Sequence, residues 1–240
     1  MFFEEHAKLL ADFARVSQAA GARADYVQGG GGNTSVKLPG GLMAIKASGF
    51  CLSDIHPDQA YAVLDGADLR NFYLTTEPSE LADVEKEGSA RAKADVRHID
   101  GLADLRPSVE AGFHSILKTF VVHTHSVYAN LAACSTACRP IAAQAFAGAN
   151  YTWGWVPYTD PGANLTFAIR DELRLVEAET GKVPPVILMQ NHGIIVHDDD
   201  PDAALAIHTD ANERLARMFG LSGTSFPKIA VREMAAGIYA

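Results

Sequence analysis

The sequence predicts one α/β domain in which helices cover a mixed sheet. Three observations carry this. Residues 3–20, 163–180 and 201–220 place apolar side chains at helical spacing. Between them lie short apolar runs of strand length, such as Phe120–His123 and Pro185–Met189. No linker, internal repeat or low-complexity segment divides the 240 residues, so 1–240 reads as one domain long enough to bury a sizeable core.

The elements follow in order. Phe3, Leu9, Leu10, Phe13 and Val16 share one helical face ahead of the stop at Gly21. A glycine-rich turn precedes Ser35–Leu38 and Leu42–Lys46, which flank Pro39-Gly40-Gly41 as a β-hairpin. Residues 58–65 and 68–74 add a short helix and then a strand, and the polar stretch 75–106 reads as a surface excursion. Pro107-Ser108 opens a helix that runs to Leu117, with Ser108 as its N-cap. Phe120–His123 is a strand, and the Ala- and Leu-rich 126–138 is a buried helix ending before Arg139-Pro140. Residues 157–162 form a loop, and 163–180 is a helix closed by Gly181. Pro185–Met189 and Ile194–Val196 are β, and 201–220 is the last helix.

Composition narrows the function. A formal charge of −9 without a basic run disfavours nucleic acid, and no apolar run reaches the roughly 20 residues that span a bilayer. Acid precedes any apolar stretch at the N-terminus, which does not look like a signal peptide and suggests a cytoplasmic protein. Cys51, Cys134 and Cys138 are odd in number and contain no C-x-x-C pair, as expected of reduced thiols. A small-molecule partner fits best. On this anionic background, an anionic substrate needs local donors to hold it.

Local chemistry points to three places. His123-Thr124-His125 ends a strand, where side chains at i and i+2 share a face, so two imidazoles can aim at one ion. Two separately hydrogen-bonded histidines would read the same way. His192, between a buried strand and Gly193, offers the third donor that a catalytic zinc site needs. His114, on the helix before the pair, suggests ordinary packing. Glu110 lies in the first turn of that helix, where the dipole alone favours a carboxylate. Beside a cation it could instead ligate or move protons. The loop Gln28-Gly-Gly-Gly-Gly-Asn33-Thr34-Ser35 is either a flexible turn or a wrap of free N–H groups around an anion such as phosphate. It has neither dinucleotide nor P-loop spacing. Ala47-Ser48-Gly49 could add further donors.

In these stretches the sequence resembles the class II aldolase/adducin family, closest to its rhamnulose-phosphate and fuculose-phosphate aldolases. The motifs are Gly31-Gly32-Asn33-Thr34-Ser35, Lys46-Ala47-Ser48-Gly49, Pro107-Ser108-Val109-Glu110, His123-Thr124-His125 and Asn191-His192-Gly193, in family order. The resemblance implies a three-layer α/β/α fold with a mostly antiparallel central sheet and a homotetramer with active sites between subunits. It assigns His123, His125 and His192 to Zn²⁺ or another divalent metal, and Glu110 to proton transfer. Gly32, Asn33, Ser48, Gly49 and Ser108 would hold a substrate phosphate. The implied reaction is cleavage of a ketose 1-phosphate to dihydroxyacetone phosphate and an aldehyde through a metal-stabilised enediolate.

Two departures mark this chain. Val109 stands where fuculose-type aldolases commonly carry a second serine, removing a hydroxyl from the implied phosphate pocket. The tyrosine that the family uses as an acid after the His-x-His is also missing from Arg139–Phe146, leaving Tyr151 or Tyr239 as replacements. Related activities are decarboxylation of a phosphorylated 3-keto sugar acid and 4-epimerisation of a pentulose phosphate, the latter typically with aspartate at the position of Glu110. An adducin-like binding module need not keep the three histidines.

Overall fold

The computed structural model describes residues 1–28, 30–221, 233–235 and 238–239. An eight-stranded sheet with the order β4-β3-β2-β1-β5-β8-β7-β6 runs through its centre. The strands are β1 (Asn33–Leu38), β2 (Leu42–Lys46), β3 (Tyr61–Asp65), β4 (Val96–Arg97), β5 (Phe120–Thr124), β6 (Trp153–Val156), β7 (Val186–Met189) and β8 (Gly193–Asp198). Every neighbouring pair is antiparallel except β6 with β7. The mostly antiparallel three-layer arrangement is therefore as the sequence predicts.

Helices cover both faces. Helices α1 (Phe2–Glu5) and α2 (Ala7–Gly21) precede the sheet; α2 packs on β1 and β5, beside the later α9 (Pro201–Met218), which packs on β5 and β8. The other face carries α3 (Gly66–Thr75), α4 (Val84–Ala94), α5 (Ala111–Ile116) and α8 (Ala163–Thr180). Strand alternation divides the core between the faces. In β5, Val121 joins the α5 and α8 side, while Phe120 and Val122 join the α2 side. Helices α6 (Val127–Ala133) and α7 (Cys138–Ala145) pack against α9 at the end of the sheet. No described helix is long and apolar enough to cross a membrane. All three cysteines are free thiols.

The structure corrects several element assignments. Residues 58–65 and 68–74 are strand then helix, the reverse of the prediction. Tyr61–Asp65 pairs along β2, and Asp65 caps a helix that buries Leu69 and Tyr73 one turn apart. A four-residue apolar run is ambiguous in period, and its register with β2 decides it. The polar excursion contains α4, which buries little of itself. It docks because Gly88 has no side chain: a Cβ there would lie 2.4 Å from that of Ala163. From α4, Glu85 accepts the free N–H groups of Ala163 and Asn164 at the start of α8. The helix predicted from Ser108 starts at Ala111, with Glu110 rather than Ser108 at the N-cap. Residues 126–138 form α6 only to Ala133, and Arg139-Pro140 falls in the first turn of α7, where proline loses no helical bond. Strand β6 is an element that the sequence reading does not predict.

Candidate metal centre

Three segments meet at the C-terminal end of β5. His123 is its penultimate residue, and its ring faces the α5 side, edge-on to Phe113. His125 lies just past the strand. Across the sheet, β8 pairs Ile194 with Thr124, so the β7–β8 turn carries His192 to the neighbourhood of His125. That turn is tight, with Asn191 in the left-handed region at φ 53°. Gly193 is required because a Cβ there would sit 2.4 Å from the Thr124 carbonyl oxygen. Gly31 and Gly32 press on the same segment: added Cβ atoms would lie 3.0 Å from His125 Nδ1 and 2.6 Å from the His123 carbonyl. These two glycines let the loop close over the histidine pair.

The three rings converge, with ligand nitrogens all within 4.8 Å of one another. His123 Nδ1 lies 3.0 Å from the Ile194 carbonyl and donates to it, which leaves Nε2 with its lone pair turned inward. That Nε2 is 3.1 Å from His125 Nε2. Burial pushes His123 down to about 3 and lowers His125, so both rings are neutral and able to ligate. Glu110 faces them, with Oε2 3.6 Å from His123 Nε2 and Oε1 3.1 Å from His192 Nε2. Burial alone would raise this carboxyl, but its surroundings, with the His192 ring and the Asn33 amide beside it, outweigh that and hold it below the usual carboxylate range. Despite these contacts, Glu110 Oε1 is buried without a hydrogen-bond partner. Three imidazole nitrogens converging on one point beside a buried carboxylate are a donor chemistry that fits a divalent cation.

Residues 11–219 match the Class II Aldolase and Adducin N-terminal domain. The chain belongs to the class II aldolase/adducin family. Solved structures with this fold include the N-terminal class II aldolase domain of a conserved protein from Thermoplasma acidophilum, 20% identical with a TM-score of 0.70 over 87% of this chain and 92% of that one. YgbL from Klebsiella pneumoniae, described as "a putative aldolase/epimerase/decarboxylase", is 18% identical with a TM-score of 0.59 over 92% of both chains. L-fuculose-1-phosphate aldolase from Thermus thermophilus is 15% identical with a TM-score of 0.53, over 92% of this chain and all of that one. No curated protein matches by sequence. Class II aldolases are generally divalent-metal dependent, in keeping with this histidine triad.

In this family member the remaining predicted residues connect to Glu110 through Asn33 or lie along the Ala47–Pro107 bridge. Asn33 Nδ2 donates to Glu110 Oε2 at 2.6 Å and to Ser108 Oγ at 3.1 Å. A bridge between Ala47 and Pro107 draws the Ser48-Gly49 turn alongside Arg106-Pro107-Ser108. Gly49 has φ 92° and open space above it. Val109 is 69% exposed on the same rim. Tyr151 is engaged elsewhere, donating to Asp210 at 2.8 Å, and the side chain of Tyr239 lies outside the described residues. A cavity of about 670 Å³ opens at the opposite end of β5, beside Lys118 and Thr119, and contains none of these residues.

Sequence reasoning missed two neighbours. Arg106 donates to Ser48 Oγ at 3.0 Å, placing a guanidinium at the rim; only the Ala47–Pro107 bridge brings it there. His114 reads in the sequence as ordinary packing, yet it bonds Asn33 and Ser35 inside the site. Its signal was present: it follows Glu110 by four residues, one helical turn, on the same face.

Proposed function

We propose that this protein is a divalent-metal-dependent lyase that cleaves a ketose 1-phosphate, or a related sugar derivative, to dihydroxyacetone phosphate and an aldehyde. The observation that carries the reading is the convergence of three imidazole nitrogens within 4.8 Å beside the buried, unpartnered Oε1 of Glu110. Bound by His123, His125 and His192, a cation such as Zn²⁺ supplies Lewis acidity toward a substrate carbonyl oxygen. Glu110, ionised and held beside that point, is the group that carries a proton to and from the carbon freed when the aldehyde departs. Gly32, Asn33, Ser48, Gly49 and Ser108 form the rim that takes the phosphate, and Arg106 adds a positive charge where Val109 offers no hydroxyl. In the family's usual homotetramer, a neighbouring subunit would supply the acid that this chain lacks after the His-x-His; light scattering of the purified protein tests that assembly.

The test is a panel of ketose 1-phosphates and phosphorylated keto acids assayed for aldehyde and CO₂, alongside metal analysis of the purified protein. Aldehyde from a ketose phosphate is the expected result. CO₂ without aldehyde would turn the assignment to decarboxylation, which uses the same metal and is among the activities ascribed to YgbL. A protein without stoichiometric divalent metal would undermine both.

A further inference from the structure

The two oxygens of Glu110 are not equivalent. Oε2 accepts the 2.6 Å hydrogen bond from Asn33 Nδ2, whereas Oε1 has no hydrogen-bond partner and lies 3.1 Å from His192 Nε2. The difference depends on which way the Asn33 amide is turned. Flipped, it would set its carbonyl oxygen against an ionised carboxylate oxygen, and Oε2 would be left bare as well.

The far side of Asn33 holds the amide against that flip. Its Oδ1 is in short contact with His114 Nε2, and His114 Nδ1 lies 2.7 Å from Ser35 Oγ. An amide oxygen can only accept, so Nε2 carries the ring proton, and the bare Nδ1 accepts from the Ser35 hydroxyl. Burial keeps His114 well below the ordinary imidazole range, so the ring holds one proton rather than two. Phe113 stacks on the ring at a centroid distance of 4.7 Å and an angle of 24°. Asn33 and Ser35 stand at i and i+2 on β1 and so present both partners to one face. Lys37, next on that face, donates to the His114 carbonyl. Carboxylate, amide, imidazole and serine thus form a buried chain whose direction of donation is set from the carboxylate end, where Glu110 can only accept.

We propose that His114 is a positioning residue. Held as the Nε2–H tautomer against the acceptor Oδ1 and supported by the Ser35 hydroxyl at Nδ1, it fixes the Asn33 amide so that Oε2 of Glu110 stays occupied and Oε1 is the oxygen that moves protons. The role of Oε1 rests on the lyase reading above; the tautomer and the amide orientation do not.

Two experiments test this on the full-length, metal-loaded protein. In ¹⁵N-histidine-labelled protein at neutral pH, His114 should show a protonated Nε2 and an acceptor-type Nδ1. A protonated Nδ1, or an imidazolium, would overturn the proposal whatever the enzyme's substrate. In kinetics, His114→Phe should lower kcat by about 10–100-fold, the usual loss when an outer partner of a site residue is removed. KM and metal stoichiometry should be nearly unchanged, and His114→Gln, whose amide N–H can reach Asn33 Oδ1, should recover part of the loss. Ser35→Ala, a milder change that keeps the ring, should lower kcat in the same direction. Wild-type kcat in both His114→Phe and Ser35→Ala would sink the positioning role. Wild-type protein inactive on every sugar phosphate would instead sink the lyase reading, leaving the tautomer measurement to decide the inference.

Discussion

His123 on β5 and His208 on α9, which packs against the opposite face of that strand, are both buried imidazoles, and burial depresses both to about 3. Their surroundings nonetheless differ in kind. Around His208 the side chains of Thr124, Ser126 and Asn212 are bonded into one network with the ring and its backbone. Thr124 Oγ1 lies 2.8 Å from its Nε2, Asn212 Nδ2 lies 2.8 Å from its carbonyl, Ser126 bonds the Asn212 side chain, and Tyr26 packs edge-on against the ring. Around His123 the lone pairs converge instead. Its Nε2 points at His125 Nε2, His192 stands close by, and Glu110 Oε1 and His192 Nδ1 are buried without hydrogen-bond partners. A buried polar cluster that satisfies itself is structural, whereas one left open toward a single point requires a guest. One segment, 123–126, serves both clusters by alternation, with His123 and His125 turned to the open one and Thr124 and Ser126 to the closed one.

The contrast can be broken most decisively from the open side. His123→Ala or His192→Ala should abolish stoichiometric metal binding and activity together, since two ligands do not make a catalytic zinc site; elemental analysis checks it. Glu110→Gln should keep the metal and lower kcat by about 10²–10⁴, the range for losing a general acid–base group. Full turnover in that variant would remove Glu110 from the chemistry.

On the closed side the expected losses are of stability. His208→Leu leaves Thr124 without its partner and should cost about 1–3 kcal/mol in denaturant unfolding, the penalty for an unsatisfied buried group. Metal content should be unchanged, and metal loss would show that the two clusters are one unit. A pH effect follows from the same residue. His208 and His197 have folded values of about 3, against an unfolded value near 6.5, so the unfolded chain binds the protons. Their contribution is therefore full above pH 6.5 and is lost as pH falls toward 3. Urea midpoints measured across that window should fall, and His208→Leu should flatten the slope. The smallest change is expected from Val109→Ser at the exposed rim, which should lower KM for a phosphorylated substrate with kcat and stability held.

Much of the site is legible in the sequence because its residues sit at positions that local geometry marks. The i, i+2 spacing of His123 and His125, the strand end before His192 and the helix start at Glu110 are short-range features. So are the long helices, which is why 163–180 with its Gly181 cap matches α8 residue for residue. Segments such as 58–74 mislead because four or five apolar residues suit either period, and α4 is hidden because a helix that docks through Gly88 and Glu85 shows no apolar stripe.

The sequence by itself determined the fold class and the main helices and marked His123, His125 and His192 as candidate ligands, because each is written in spacing, capping residues and donor chemistry. Only the tertiary structure decided that His114 bonds Asn33 and Ser35, that Arg106 reaches Ser48, and that Gly31, Gly32 and Gly193 are small because the 123–125 segment passes beside them. Those facts are properties of which strands lie next to each other. Chain connectivity does not state strand order, so a side chain's partners across the sheet become visible only once the sheet has formed.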